Sequence, residues 1–439
     1  MKPLSKPISS VKRASGETTD SGLQQCLQVL QRLSGRKSPP DFAVRFWDGT
    51  AWEPENGTPP RFTLVLQHRG ALRKMFWPPS DLTIGEAFIY DDIDVEGDIH
   101  AFFAFLKQFG ESKRNLGEKL TLAWKLFRLP ASERPRAGRQ AARLIGTQHS
   151  PDRDRRAISY HYDVSNEFFA LWLDSRMIYS CAYFQSADED LEAAQERKLD
   201  YLCRKLRLKH GERLLDIGCG WGGLVIHAVQ HYGVQALGIT LSRRQVELAN
   251  ERIRQAGLAD NARVELLDYR KVGPPEAFDK LVSVGMIEHV GQKKLTEYFR
   301  QAWRLLRPGG VFLNHGISLG GPRPRRTTFA RRYVFPDGEI VSLTTSLLSA
   351  ASVGFEIRDV ESLREHYALT LARWIERLEA RHDQARQETD EATYRTWRLY
   401  MAGASEGFRS GVYNIYQTLL VKPDHGRSGL PLTRADWYA

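Results

Sequence analysis

Leu214-Leu215-Asp216-Ile217-Gly218-Cys219-Gly220-Trp221-Gly222-Gly223 runs straight into Leu224-Val225-Ile226-His227-Ala228-Val229. Apolar residues that end in a glycine cluster and resume at helical spacing predict a strand, a tight turn and a helix. Glycines at such a turn let the backbone approach a nucleotide cofactor closely. Gly218, Gly220 and Gly223 also fit dinucleotide spacing, which alone is a weak match. Asp216 discriminates. A carboxylate two residues before the first glycine would face the pyrophosphate of NAD, and like charges repel. It suits a cofactor that carries an ammonium group, such as the methionine end of S-adenosylmethionine (SAM).

Outward from the loop, strand and helix patterns alternate. Leu191 to Leu206 is amphipathic and leads into the first strand. Val234–Ile239, Arg263–Leu267 and Lys280–Val284 read as further strands, with helices at Arg244–Ala256 and Lys294–Leu306. Pro308-Gly309-Gly310 ends the last helix, and Val311–Leu313 begins a fifth strand. This alternation predicts a doubly wound parallel sheet of the α/β class, whose ligands sit at the carboxyl ends of the strands.

Those ends carry the candidate chemistry. Strand two ends in Thr240-Leu241-Ser242, without the acid that holds a ribose diol in NAD folds. Thr240, Ser242 and Gln245 are candidates for the ribose, and Ser242 is equally a helix N-cap. Strand three ends in Asp268-Tyr269-Arg270, where an acid can accept from an adenine amino group and a ring can stack; a polar turn is the plainer reading. Strand four runs into Ile287-Glu288-His289, and a carboxylate after so apolar a strand is partly desolvated, which raises its pKa. Glu288 is also placed where a helix dipole favours an acid. Strand five gives Asn314-His315, either functional or a satisfied core histidine.

The 439 residues carry a net charge of +10, with ordinary apolar and charged content for a globular protein. Cys26, Cys181, Cys203 and Cys219 show neither metal nor disulfide spacing, which fits a reducing cytosol. No apolar run reaches the length of a membrane span, and no signal peptide is visible. Residues 1–37 read as a disordered tail and a short helix, and 38–128 as a small α+β domain. Residues 129–157 read as a basic linker, with seven arginines (134, 136, 139, 143, 153, 155, 156) against Glu133, Asp152 and Asp154. Residues 158–425 form the cofactor domain and 426–439 a tail. A second basic cluster is Arg323, Arg325, Arg326, Arg331 and Arg332. Both clusters are compatible with solvated loops. Together they suggest an anionic partner, nucleic acid or lipid headgroups, and no nucleic-acid module is present.

From about Tyr160 to Lys422 the sequence resembles the cyclopropane-fatty-acyl-phospholipid synthase family. The resemblance is carried by Tyr160-His161-Tyr162-Asp163-Val164-Ser165-Asn166, Tyr179-Ser180-Cys181-Ala182-Tyr183-Phe184, the 215–223 loop, Gly238-Ile239-Thr240-Leu241-Ser242 and Ser283-Val284-Gly285-Met286-Ile287-Glu288-His289-Val290-Gly291. Tyr333-Val334-Phe335-Pro336-Asp337-Gly338-Glu339 and Tyr400-Met401-Ala402-Gly403 extend it. The resemblance implies a SAM-dependent methyltransferase (Rossmann-like) sheet with a helical lipid-facing cap, beside the small N-terminal domain. It implies SAM at Tyr179, Ser180, the loop with Asp216, Gly218, Gly220 and Gly222, residues Thr240, Ser242 and Gln245, and Asp268, Tyr269 and Arg270. It implies a bicarbonate base held by Cys181, Glu288, His315, the Ile317 backbone and Tyr367, with no metal. Ala404 stands where some members have a cysteine.

The implied partners are unsaturated phospholipid acyl chains and an anionic membrane surface, with the protein cytoplasmic and peripheral at the inner face. A homodimer is compatible with the sequence. An alkene attacking a sulfonium methyl develops a carbocation, so the site must be dry, with the faces of Tyr183, Phe184 or Tyr367 near the charge. Glu288 and bicarbonate cannot easily share a pocket if both are fully ionised. Either one of them carries a proton or His315 supplies compensating charge. A fatty-acyl C-methyltransferase and a small-amine N-methyltransferase are the competing readings. A lipid-transfer protein leaves the SAM loop unexplained.

Overall fold

The computed structural model describes residues 11–12, 21–34, 39, 41–54, 57–111, 115–131, 135–162, 164–321 and 328–438. Arg134, Arg323, Arg325 and Arg326, and most of the 1–20 tail, lie outside them. The chain divides into two compact units.

The first unit comprises the described residues of Met1–Gln140, with Thr327–Phe329 and Asp390–Glu406. Phe42–Arg45 and Phe62–Leu66 pair in parallel, and Ile93–Gly97 runs antiparallel to Phe62–Leu66. Alternation places Phe42 and Phe62 on one face, where their rings stack at 5.3 Å beside Phe102 and Phe105. Helices Ser21–Ser34, Asp81–Ile89, Ile99–Glu111 and Leu116–Arg128 complete this α+β unit. The helix Glu391–Arg409 contributes its residues up to Glu406, far along the chain from the rest. Its buried Arg395 donates to the carbonyls of Phe88 and Ile93 and pairs with Asp94 at 3.1 Å. A buried guanidinium with this many acceptors is satisfied rather than stranded.

The second unit is built on one large sheet. Its strands lie in the order Glu356–Ser362, Tyr413–Val421, Leu306–Leu319, Phe278–Val284, Arg213–Ile217, Gln235–Thr240, Ala262–Leu266. The last five are mutually parallel, and Tyr413–Val421 runs antiparallel to Leu306–Leu319. Successive side chains take opposite faces. Leu214, Val282 and Leu313 pack against the helices Leu191–Leu206 and Gly223–Tyr232. Leu215, Leu281 and Phe312 pack against Leu295–Leu305. From Arg213–Ile217 the sheet grows one way through Gln235–Thr240 and the other way through Phe278–Val284. That reversal opens a crevice at the strands' carboxyl ends.

Two expectations are corrected. The strand predicted from Val311 begins at Leu306 and runs through Pro308-Gly309-Gly310 with a bulge. Edge pairing sustains it, because the Gly309 N–H donates to Lys422 O at 2.7 Å and the Lys422 N–H to Gly310 O at 3.1 Å. The predicted linker contains the start of the helix Pro151–Tyr162. Proline opens it and Asp152 and Asp154 occupy its first turn, both favourable at an N-terminus.

Candidate active site

Asp216, one residue before the end of its strand, is 2% exposed, and the glycine turn follows. The N–H groups of Gly218 and Cys219 both donate to Ile239 O, at 2.9 and 3.0 Å, which ties the turn to the neighbouring strand. Gly220 has φ +55° and a Cβ there would meet nothing within 4 Å, so it faces open space. Gly285, across the crevice on the Phe278–Val284 side, is the same, with φ +70°. The turn therefore leaves a cradle that side chains would fill.

One cavity occupies this crevice. Its wall includes Tyr179, Ser180, Asp216, Gly218, Gly220, Thr240, Gln245, Tyr269 and Arg270 from the predicted cofactor set. Gly222, Ser242 and Asp268 are not on that wall. Gly222 precedes the helix Gly223–Tyr232, and Ser242 caps the helix Arg243–Gln255, accepting from the Gln245 N–H. Asp268 is engaged by Arg270 through Nε at 2.8 Å and Nη2 at 2.6 Å, so both carboxylate oxygens are committed. Thr240 Oγ1 donates to Gln245 Oε1 at 2.6 Å, within the cavity wall.

Sequence reasoning missed Lys198. It lies on the helix Leu191–Leu206, 1% exposed, and donates from Nζ to Ser180 Oγ at 2.8 Å. Burial lowers its pKa to about 8, opposed by the charges of Asp174, Cys181 and Asp216. Burial raises Asp216 to about 7, opposed by Lys198. The cavity thus buries an ammonium and a carboxylate that stabilise each other's charge. The only signal was a lysine amid Ala194, Leu199 and Leu202, on the inner face of an amphipathic helix. Asp154, Ile158 and Tyr162 also reach the wall, from the helix whose beginning the composition assigned to a linker.

None of Cys181, Glu288, His315, Ile317 or Tyr367 lines this cavity. Glu288 Oε1 accepts from the Ile317 N–H at 2.6 Å, so that backbone donor is already engaged. Glu288 Oε2 and His315 Nε2 are buried with no hydrogen-bond partner among the described residues. Burial raises Glu288 to about 7, so a protonated form is populated near neutrality. His315 is held well below its usual pKa by burial and by Lys198 and Lys205, and stays neutral. Of the two ways to balance charge, a protonated Glu288 is available and a charged His315 is not. Burial raises the Cys181 thiol, which is inert as a nucleophile in that state.

Aromatic rings connect these places. Tyr179 on the cavity wall lies 5.3 Å from Trp374, Trp374 lies 6.1 Å from Tyr367, and Tyr367 lies 4.7 Å from Phe408. Tyr162, also on the wall, has its hydroxyl pKa raised by burial and by the charge of Glu288. Tyr183 stacks instead on His366 at 4.8 Å, and neither it nor Phe184 is on the wall.

The family model for mycolic acid cyclopropane synthetase matches residues 149–418. The chain belongs to that family. It is a SAM-dependent methyltransferase. A probable fatty acid methyltransferase of Pseudomonas putida is 41% identical over 90% of this chain and 95% of its own length. The cyclopropane-fatty-acyl-phospholipid synthase of Escherichia coli is 37% identical over 59% of this chain and 66% of its own. The crystal structure of mycolic acid cyclopropane synthase CmaA1 complexed with SAH and CTAB superposes with a TM-score of 0.57. It is 34% identical and covers 61% of this chain and 97% of that one. A domain model of unknown function matches residues 29–115.

The residues present fit SAM. A zwitterionic amino-acid end requires both signs of charge, which Asp216 and Lys198 supply, and the cradle at Gly220 and Gly285 leaves room for backbone approach. They also fit a small hydrogen-bonding anion near Glu288, where an acid oxygen and an imidazole nitrogen lack partners.

Proposed function

We propose that the chain transfers the methyl group of SAM to the double bond of an unsaturated phospholipid acyl chain and closes a cyclopropane ring. The observation that carries this is two buried polar atoms that have no partner among the described residues, Glu288 Oε2 and His315 Nε2, on segments whose neighbours Gly285, Met286 and His289 line the cofactor cavity. SAM supplies an electrophilic methyl group, and bicarbonate supplies a basic oxygen for the departing proton. The protein's part is electrostatic and steric. Asp216 takes the cofactor's ammonium, and Lys198 with Ser180 takes its carboxylate. Tyr179 and Tyr162 present ring faces where positive charge develops along the acyl chain. Protonated Glu288 donates to the anion, His315 holds it from a neutral ring, and the Cys181 thiol and Tyr367 complete its surroundings. The reaction requires water to be kept out, so that a carbocation survives long enough to lose a proton. Atoms balance: the lipid gains one CH2, one proton is released, and the sulfonium becomes a thioether.

A second reading follows from the Pseudomonas relative, which is named a fatty acid methyltransferase and matches nearly end to end. If a reductant intercepts the cation, the product is a saturated methyl branch. Mass spectrometry of lipids from an expressing cell separates the outcomes. A gain of CH2 with loss of the alkene is a ring, and a gain of CH4 is a methyl branch. Unchanged lipids with a methylated amine reject both.

No helix among the described residues is long and apolar enough to cross a membrane. We place the protein in the cytoplasm, at the inner face of the membrane that holds its substrate.

A further inference from the structure

In the first unit, the helix Leu116–Arg128 buries Leu126 and leaves its opposite stripe bare. Leu116, Leu120, Trp124 and Phe127 are 73, 62, 54 and 57% exposed. Their spacing of four, four and three residues puts them on one face. Trp77, 39% exposed, meets Phe127 edge-on at 6.4 Å, and Trp77, Leu120, Trp124 and Phe127 line one shallow depression. The stripe falls between the two stretches that known models match, 29–115 and 149–418.

We propose that this face is a lipid-docking surface whose occupant is the headgroup–acyl boundary of an anionic bilayer. The charges around it argue for that occupant. Arg128 lies 4.0 Å over the Trp124 ring and Arg73 lies 5.0 Å over Phe127. Lys119 is exposed beside the stripe, while the helix's one acid, Glu118, is engaged in the capping box with Asn115. Leucine and aromatic side chains on one face with cations flanking them match the layered chemistry of an anionic membrane surface. Three of the arginines that composition singled out are already paired with acids. Arg153 pairs with Asp337 at 2.5 Å, Arg155 with Asp152 at 2.5 Å and Arg136 with Glu86 at 2.7 Å. The inference rests on the lipid reading above and assigns it a contact surface.

Flotation of the full chain with vesicles tests it, using phosphatidylcholine alone and phosphatidylcholine mixed with phosphatidylglycerol. The wild type is expected to float with the anionic vesicles. The double variant L120E/W124E should lose roughly tenfold or more in that binding, and K119E/R128E should lose it with a weaker salt dependence. Turnover on detergent-dispersed unsaturated phospholipid, as the check on folding, should stay within about twofold of wild type. Variants that float like wild type overturn the proposal. So does a wild type that converts dispersed lipid yet ignores vesicles, which leaves the catalytic reading standing. A wild type inert on dispersed lipid instead removes the catalytic reading. If L120E/W124E only dissociates a dimer, with vesicle binding intact, the stripe is an interface between copies and the proposal is wrong.

Discussion

The glycine turn and the surroundings of Glu288 bury polarity in opposite ways. At the glycine turn, Asp216 and Lys198 are both buried, the lysine's charge is supported by Asp174 first and by Asp216, and Lys198 has Ser180 as well. At Glu288, one oxygen has the Ile317 N–H and the other has nothing, and His315 Nε2 is equally alone. A buried polar atom without a partner costs about 1–3 kcal/mol. Groups that are balanced within the chain suit a ligand that brings both charges with it. Groups left open suit a small guest that completes their hydrogen bonds.

The sharpest way to break this contrast is Glu288→Gln. Turnover should fall by about 10²–10⁴, the range for losing a group that handles protons, while SAM affinity by calorimetry stays within about twofold. Lost SAM affinity would move Glu288 to the cofactor end. Lys198→Met should raise the SAM dissociation constant by roughly 30-fold or more, since an unpaired buried carboxylate remains. Combining it with Asp216→Asn should cost less than the sum of the two. Additive losses would mean that the two groups do not act as a pair.

The next effect is on stability. Glu288 has a folded pKa of about 7 against an ordinary 4.5. The folded state therefore holds the proton more tightly than the unfolded state, and the stability linked to that proton is lost as pH rises from about 4.5 to about 7. In bicarbonate-free buffer, Glu288→Gln should be more stable than wild type at pH 8 by up to about 3 kcal/mol, at about 1.36 kcal/mol per pKa unit. The advantage should vanish near pH 4.5, as read by urea unfolding. An advantage independent of pH would assign the effect to packing. The smallest effect belongs to Ser242→Ala, about 1 kcal/mol of stability for a lost N-cap, with SAM affinity nearly unchanged. A tenfold loss of affinity would place Ser242 on the ribose.

The glycine turn and the strand ends were legible because their chemistry is local. Asp216, Thr240 and Tyr269 sit where a strand must stop and a ligand can enter. Lys198 was not legible as a site residue, because its place depends on a helix packing over the first strand's face. The helix Pro151–Tyr162 was obscured by charge, and its contribution to the cavity comes from Asp154, Ile158 and Tyr162 alone. Residues 390–406 join the N-terminal unit through contacts such as Arg395 to Asp94, about 300 positions apart. Nothing local announces a partnership of that range. The stripe on Leu116–Arg128 has ordinary helical spacing, and only the exposure of Trp124 and Phe127 distinguishes it from a core face.

Purified protein given SAM, bicarbonate and a dispersed monounsaturated phospholipid offers the most direct trial. Methyl transfer to the alkene predicts a lipid heavier by one CH2, with its double bond gone and one S-adenosylhomocysteine formed per ring. Unsaturated lipid returned intact under these conditions, with SAM bound, would contradict it.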